Sequence, residues 1–319
     1  MEVNLFIFNF SMINLLKFFK KIILVLTILF ILDYLIGSLL RHYFQLQNQG
    51  IGYHTTHSVK KTEEDILIFG SSRAQHSIIP KIIQDITGLS CYNVGQAGVG
   101  IAYSLGLQQM ILQRYQPKVI ILEVFPVDLL NKDKKNLDVL SYQLPFYKEY
   151  PQIQSLIHER GKYEKIKHYS KIYPFNSLFL QIIYNNIFIE ENDYSKGYSP
   201  LYKSLKKSKL EVAVYENFKI DDNNLIYLNQ FIQNCKSNNI EIYLTYGPVY
   251  AENGEAMNKS NNVIKKFCED NRIKLFNFSN DPLFKDNPKY FSDKVHLNNF
   301  GAIKYSQMLG LKIKENIIN

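Results

Sequence analysis

Short apolar runs alternate with helical periodicities along most of the chain after residue 64. Such alternation is typical of β-α-β units whose strands form one buried parallel sheet. The apolar runs predict five strands, at 65–69 (DILIF), 90–94, 118–124, 241–246 (EIYLTY) and 273–278. The stretches around them predict helices at 78–86, 102–115, 222–238, 255–270 and 298–314. The predicted fold class is α/β, a flavodoxin-like three-layer αβα sandwich with a parallel sheet.

The alternation is interrupted between about residues 129 and 220. This stretch carries eleven of the chain's 23 tyrosines, many lysines, and apolar patches such as 177–189. We interpret it as a partly helical, Tyr-rich insertion in a domain that spans residues 65–319. Two roles for its tyrosines stay open, because their rings can stack on sugars with the hydroxyls hydrogen-bonding, or can simply cover the sheet.

A separate apolar stretch at 22–40 comes before the domain. Its 19 residues span roughly 28 Å as a helix, close to the thickness of the hydrocarbon core of a bilayer. Asp33 lies within it, and a carboxylate near a helix centre costs about 2.5–3.5 kcal/mol on insertion scales. The surrounding Leu, Ile, Val and Phe offset part of that cost, so the stretch predicts one transmembrane helix.

The flanking charges predict the orientation of this helix. Three lysines precede it and only Arg41 directly follows it; the lysines are Lys17, Lys20 and Lys21. The positive-inside rule therefore predicts a cytoplasmic segment 1–21, a single-pass signal anchor at 22–40, a polar linker at 41–64 and an extracytoplasmic domain. A cleaved signal peptide, for which no small-x-small site is present near residues 35–37, and a buried soluble helix are the alternatives.

The charge and cysteine content narrow the classes of function. The formal net charge is +8, but the lysines are scattered and there is no zinc-finger spacing or RNA-binding signature, so we predict no nucleic-acid partner. A membrane partner fits the charge as well. The three cysteines show no paired spacing and exclude a Cys-built zinc site. We predict no metal and no other cofactor.

The first candidate for chemistry is the turn Gly70-Ser71-Ser72-Arg73, which directly follows the first predicted strand. Ligands of open parallel sheets bind at the carboxyl ends of the strands. The turn brings hydroxyls to that edge and opens a helix whose free N–H groups point to the same place. Ser72 is therefore a candidate nucleophile. A helix N-cap and a phosphate- or nucleotide-binding turn remain alternatives, although no P-loop or dinucleotide fingerprint is present.

The second candidate is the pair Asp293 and His296, which precedes the last predicted helix. An Asp three residues before a His can accept a hydrogen bond from one ring nitrogen and leave the other nitrogen free as a base. A serine needs such a base at neutral pH, and a positioned base contributes roughly 10²–10⁴-fold in rate. Otherwise Asp293 merely leads into the helix and His296 is structural.

The third candidate is the turn Asn93–Gly98 after the second strand, where Gly95 or Gly98 can present a backbone N–H to a developing oxyanion. Together the three segments resemble the SGNH (GDSL-like) hydrolase superfamily over residues 65–128 and 221–315. The Gly-Ser-Ser form is similar to the membrane-anchored branch that includes the D-alanyl-lipoteichoic acid transfer protein and alginate O-acetylation proteins.

The resemblance implies roles for individual residues. Ser72 is the expected nucleophile, His296 the base and Asp293 its orienter, with the N–H groups of Ser72 and Gly98 as oxyanion donors. The family's Gly-x-Asn-Asp after the third strand places an oxyanion-binding Asn where this chain has Val127. Losing one such donor costs about 10²–10³ in rate. The predicted substitutes are Gln96 and Tyr246.

Two functions follow from these features. The first is a membrane-anchored Ser-His-Asp acyl-transfer enzyme, an ester hydrolase or O-acyltransferase that acts on an envelope glycan or an acylated small molecule, with a membrane-bound acyl-transfer partner. The second is a catalytically silent scaffold of an envelope polysaccharide complex, which Val127 and the large insertion favour.

Overall fold

Five parallel strands form the centre of the domain in a computed structural model that describes residues 12–130, 134–188, 195–205, 220–250 and 254–317. They are β1 (Ile66–Phe69), β2 (Cys91–Asn93), β3 (Val119–Glu123), β4 (Glu241–Tyr246) and β5 (Lys274–Asn277). Their order across the sheet is β2-β1-β3-β4-β5, and every neighbouring pair is parallel. This is the doubly wound flavodoxin-like order, so the predicted fold class is confirmed.

Helices cover both faces of the sheet. The helices of the described residues are α1 (Met12–Leu46), α2 (Gly50–Lys61), α3 (Ser72–Ser77), α4 (Pro80–Thr87), α5 (Ile101–Ile111), α6 (Gln154–His158), α7 (Glu164–Lys167), α8 (Phe179–Ile187), α9 (Asp222–Ser237), α10 (Gly254–Asn271) and α11 (Asn299–Ile317). In the same part of the chain, 3-10 segments lie at Pro126–Leu129, Lys134–Phe146, Pro151–Ile153, Tyr173–Leu178 and Pro288–Tyr290. Because strand side chains alternate, Ile66 and Ile68 pack under α4 and α11, whereas Leu67 and Phe69 pack under α5 and α9.

The segment 41–64, expected to be a polar linker, is mostly helical. Helix α1 continues to Leu46, and α2 packs against α5 with Val59 fully buried. The Thr55 hydroxyl lies 2.7 Å from the Tyr103 hydroxyl, and His54 Nε2 donates to the Asn93 carbonyl at 3.1 Å. Two polar side chains of α2, Thr55 and His54, thus find partners inside the domain, which the composition of the segment does not reveal.

The insertion leaves the domain at Leu130 and returns at Ile220, and these two residues form an antiparallel bridge. Its described residues form short helices and 3-10 segments that add no strand to the sheet. Apolar side chains of the insertion pack on α5 and on the end of α1, and Tyr147 and Tyr150 are buried in this cluster. These two tyrosines therefore cover the domain rather than face solvent.

Two buried histidines, His54 and His168, make the domain sensitive to acid. Burial, the largest effect, lowers the pKa of each from its ordinary value of 6.5 to about 4. The neutral form is thus favoured by folding, so stability is complete above about pH 6.5 and falls as the pH drops towards 4. For His54 alone we expect a loss of about 2 kcal/mol between pH 7.5 and pH 5.

The measurement is thermal unfolding of the purified full chain at these two pH values. His54→Gln keeps a donor for the Asn93 carbonyl and cannot be protonated, so its melting temperature should change less with pH than that of the parent. His42→Gln is the matched control because His42 is exposed. An equal acid shift in the parent and in His54→Gln would contradict the prediction.

Candidate active site

Ser72 lies where β1 ends and is the first residue of α3. The chain reaches it through Gly70, whose φ of +144° is accessible to glycine. A Cβ at Gly70 would lie 2.8 Å from the Ala74 Cβ and 2.9 Å from the Glu123 carbonyl oxygen. The side chain of Ser71, the N-cap residue, makes no capping hydrogen bond. The tight turn therefore places the Ser72 hydroxyl and the first free N–H groups of α3 at the carboxyl edge of the sheet.

Ser72, His296 and Asp293 form a continuous chain of hydrogen bonds. Ser72 Oγ lies 2.7 Å from His296 Nε2. His296 Nδ1 lies 2.8 Å from Asp293 Oδ2 and 3.0 Å from Oδ1. Because a carboxylate only accepts, Nδ1 carries the proton and donates to Asp293. Nε2 is then the acceptor for the serine hydroxyl, which is the tautomer that a general base requires.

Asp293 is held as a carboxylate by the turn in which it lies. Its Oδ1 accepts the backbone N–H groups of Val295 and His296, each at 2.9 Å. Burial alone would raise the pKa of Asp293, but the hydrogen bonds from the His296 ring and from these N–H groups lower it below its ordinary value of 3.8. Asp293 is therefore ionised at neutral pH and remains an acceptor for His296.

Ser72 and His296 line a cavity of about 330 Å³. The turn after β2 contributes Gly98, whose φ is +78° and whose N–H has no acceptor among the described residues. Val127 and Phe125, which follow β3, form an apolar part of the wall. The cavity thus combines a serine, its base, a free backbone N–H and an apolar surface, as an acyl group and a developing oxyanion require.

Three predicted residues of the oxyanion or substrate site do not line the Ser72 cavity. The Gly95 N–H donates to Asn93 Oδ1 at 2.9 Å and is not free. Gln96 lines a separate cavity of about 340 Å³ beside α2. Tyr246 is buried, and its ring centre lies 5.6 Å from the Arg73 guanidinium. Gln96 therefore does not reach Val127, the position of the missing Asn. Tyr246 packs in one apolar cluster with Val127 and Phe125 but does not line the Ser72 cavity.

Asn224, near the start of α9, lines the same cavity as Ser72 and was missed in the sequence. Its Nδ2 donates to the Asp128 carbonyl at 3.1 Å, and an amide nitrogen carries a second hydrogen. Asn224 follows the insertion in the chain and does not lie at the end of a strand. No local motif therefore marked it.

The sequence predicts no role for Arg73 beyond its place in the turn after β1. In the structure its side chain connects the loops around the site. Its Nε donates to Glu123 Oε1 at 2.8 Å, and both side chains are buried. Its Nη2 donates to the Gly247 carbonyl at 2.8 Å and its Nη1 to the Val295 carbonyl at 2.7 Å. One side chain, next to Ser72, thus ties the ends of β3 and β4 to the turn that carries His296.

His76 lies edge-on to His296, with 6.0 Å between the ring centres. Its Nδ1 donates to the Ser199 carbonyl at 2.7 Å. Burial, followed by the neighbouring His296, lowers the pKa of His76 below its ordinary value of 6.5, although Ser199 opposes this. His76 is therefore neutral at pH 7 and adds no positive charge beside His296. Within the part of the chain that the structure describes, no group of three or more His, Cys, Asp or Glu could hold a metal ion.

Comparison with known proteins gives matches among solved structures alone. No family model and no curated protein matches the chain. A provisionally assigned lipolytic protein of the G-D-S-L family from Desulfitobacterium hafniense is 9% identical with a TM-score of 0.43, over 78% of this chain and 98% of that one. An acetyl xylan esterase is 16% identical with a TM-score of 0.40, over 79% and 99%.

A GDSL-like lipase from Bacteroides thetaiotaomicron is 12% identical with a TM-score of 0.40, over 79% of this chain and 88% of that one. These structures belong to the class of hydrolases that the motifs resemble. At such low identity the likeness carries no conclusion about the reaction, which has to be argued from the site itself.

Proposed function

We propose that the chain is a serine acyl-transfer enzyme in which Ser72 attacks an ester carbonyl. His296 takes the proton of the Ser72 hydroxyl and returns it to the leaving oxygen, and Asp293 stabilises the imidazolium that forms in between. The N–H groups of Ser72 and Gly98 face the developing oxyanion. The observation that carries the proposal is the hydrogen-bond chain from Ser72 through His296 to Asp293.

Water or a second hydroxyl can then take the acyl group, which makes the enzyme an ester hydrolase or an O-acyltransferase. A surface glycan is the proposed substrate, because an anchored domain reaches only molecules held close to its membrane. The phosphate-binding alternative for the turn finds no support, since the Arg73 guanidinium that would neutralise a phosphate is already bonded to Glu123 and to backbone carbonyls.

A fluorophosphonate probe tests the proposed nucleophile directly. We expect the probe to label the full chain and the variant Ser71→Ala, but not Ser72→Ala or His296→Ala, because only an activated serine reacts. Ser71 is the matched control since its hydroxyl is adjacent and makes no capping bond. Labelling of Ser72→Ala at the parent's rate would refute Ser72 as the nucleophile, and an unlabelled parent would favour the scaffold function.

We also propose that α1 anchors the domain outside the cytoplasm. Residues Leu15–Leu46 form a helix long and apolar enough to cross a membrane by length and composition, and its apolar side chains are largely exposed. The positive-inside rule supplies the orientation. A reporter that is active only after export, fused at the C-terminus, should be active, and replacing the three lysines at 17, 20 and 21 by glutamine should reduce that activity. A cytoplasmic reporter signal from the parent would refute this topology.

A further inference from the structure

A further cavity, of about 210 Å³, lies between α1 and the insertion. We call it the junction cavity. Helix α1 contributes Ser38 and Arg41, and the insertion contributes Lys148, Ser170 and Lys171. It lies outside the Ser72 cavity, with which it shares no lining residue.

The junction cavity has an excess of positive charge. Arg41, Lys148 and Lys171 line it, and none of them pairs with a carboxylate among the residues that the structure describes. The ammonium of Lys171 lies 3.6 Å from the centre of the Tyr34 ring. Three cations around one space are the groups that bind a phosphate.

The carboxylate beside the cavity is already satisfied. Asp33 on α1 accepts hydrogen bonds from the Ser170 hydroxyl, from the Lys171 N–H at 2.7 Å and from the Ile172 N–H at 3.3 Å. These donors account for the single carboxylate in the apolar stretch, because Asp33 binds the insertion rather than lipid. These hydrogen bonds hold the loop in place. The charge of Asp33 also attracts Lys148, but the three cations of the cavity outnumber this single carboxylate.

The position of the cavity on α1 indicates where that ligand comes from. The apolar run ends at Leu40, and Arg41 follows it, so the cavity lies at the level where hydrocarbon gives way to lipid headgroups. The insertion touches α1 further down as well, since a Cβ at Gly37 would lie 2.5 Å from the Lys171 backbone. From Leu40 to Asp33 the helix descends by about 10 Å.

Helix α8 supplies an apolar surface beside α1. Its exposed side chains Phe179, Leu180, Ile183 and Ile187 follow a helical spacing that forms one stripe. Asn186 Nδ2 donates to the Tyr43 carbonyl at 3.0 Å, which fastens α8 to α1. An interfacial helix sinks about 5–10 Å into the headgroup region. This depth agrees with the distance of about 10 Å along α1 between Leu40, where the apolar run ends, and Asp33, which the insertion contacts.

We propose that the junction cavity binds the phosphate of an anionic phospholipid of the membrane that α1 crosses, with the stripe on α8 immersed at the acyl boundary. The inference rests on the anchoring part of the proposed function. An anionic lipid is favoured over a zwitterionic one because the cavity offers several cations and no free carboxylate for a choline or ethanolamine group. The bound lipid holds the domain against the membrane surface.

Native mass spectrometry of the full chain in mild detergent tests the site. With equimolar phosphatidylglycerol and phosphatidylcholine, we expect retention of phosphatidylglycerol in preference to phosphatidylcholine. The double variant Arg41→Gln/Lys148→Gln should lower that retention about tenfold or more, since each charged hydrogen bond contributes about 1.5–3 kcal/mol. The control is Lys289→Gln, because Lys289 also lies over a tyrosine ring, 4.7 Å from its centre, but outside the cavity.

Each outcome bears on the inference. Equal retention of both lipids, or retention unchanged in the double variant, overturns it. If millimolar inorganic phosphate displaces phosphatidylglycerol, the cavity binds free phosphate rather than the phosphate of a membrane lipid, and the inference is wrong. Extraction of membranes with carbonate separates the two proposals. A chain released by carbonate refutes the anchor and this inference together, whereas an integral chain without lipid preference refutes this inference alone.

Discussion

Replacing Ser72 or His296 by alanine should each reduce hydrolysis of an activated ester such as p-nitrophenyl acetate by roughly 10⁴–10⁶-fold in kcat. The physical reason is that the serine and its base act as one unit, so either loss removes the attack on the carbonyl. The double variant should for the same reason be little worse than the single ones. Asp293→Asn should cost somewhat less, because the ring keeps a partner but loses the charge that stabilises the imidazolium.

The comparison requires kcat and KM of each variant with the full chain, alongside the melting temperature. All of these variants should remain folded, since the three side chains lie at the edge of the sheet and outside its core. Ser71→Ala is again the matched control and should keep the parent's kcat within a small factor. If Ser72→Ala retains the parent's activity while folded, the acyl-transfer function is wrong and the scaffold function takes its place.

Replacing Arg73 by leucine should destabilise the domain by about 3–5 kcal/mol, because it leaves the Glu123 carboxylate buried without its partner. Arg73 and Glu123 expose only 4% and 1% of their side chains. Removing both charges in Arg73→Leu/Glu123→Leu should recover much of the lost stability. It should not recover activity, because the Val295 carbonyl, next to His296, loses the donor that holds its turn.

Urea unfolding and ester hydrolysis, measured on the same samples, separate these two effects. Lys81→Leu is the control, since Lys81 pairs with Asp85 at the surface, with 60% and 55% of the two side chains exposed. Such a pair contributes about 0–1 kcal/mol. An Arg73→Leu variant as stable as the control, or a double variant as active as the parent, would contradict the role assigned to Arg73. The stability of Arg73→Lys should lie between those of the parent and Arg73→Leu, because an ammonium cannot reach Glu123 and both carbonyls at once.

The edge strand β5 is only partly buried, but β1 to β4 could be predicted closely because each is a short, largely apolar run that is almost entirely buried. Such runs indicate a buried strand directly. The strand predicted at 241–246, for example, has the same first and last residues as β4. The segment 41–64 was predicted poorly for the opposite reason. Polar side chains such as Thr55 and His54 bond to groups of the domain, and a composition rich in polar residues does not distinguish hydrogen bonds to protein from hydrogen bonds to water.

The candidate site divides in the same way. Ser72, Asp293 and His296 were identified in the sequence because each lies in a short motif next to a strand end or a helix start, and a parallel sheet brings such ends to one edge. Gln96 and Tyr246 also follow strands, but their side chains turn towards other cavities and the core. The direction of a loop side chain depends on packing with distant segments, which local spacing does not encode.

The amino-acid sequence by itself determined the order of strands and helices, the apolar helix before them and the three residues proposed for catalysis, because local periodicity and motif spacing carry this information. Only the tertiary structure decided that Gly98 and Asn224 join the cavity of Ser72, and that Arg73 connects three loops through buried hydrogen bonds. These contacts join residues more than a hundred positions apart in most cases, and such pairings arise from the folded arrangement rather than from neighbours in the chain.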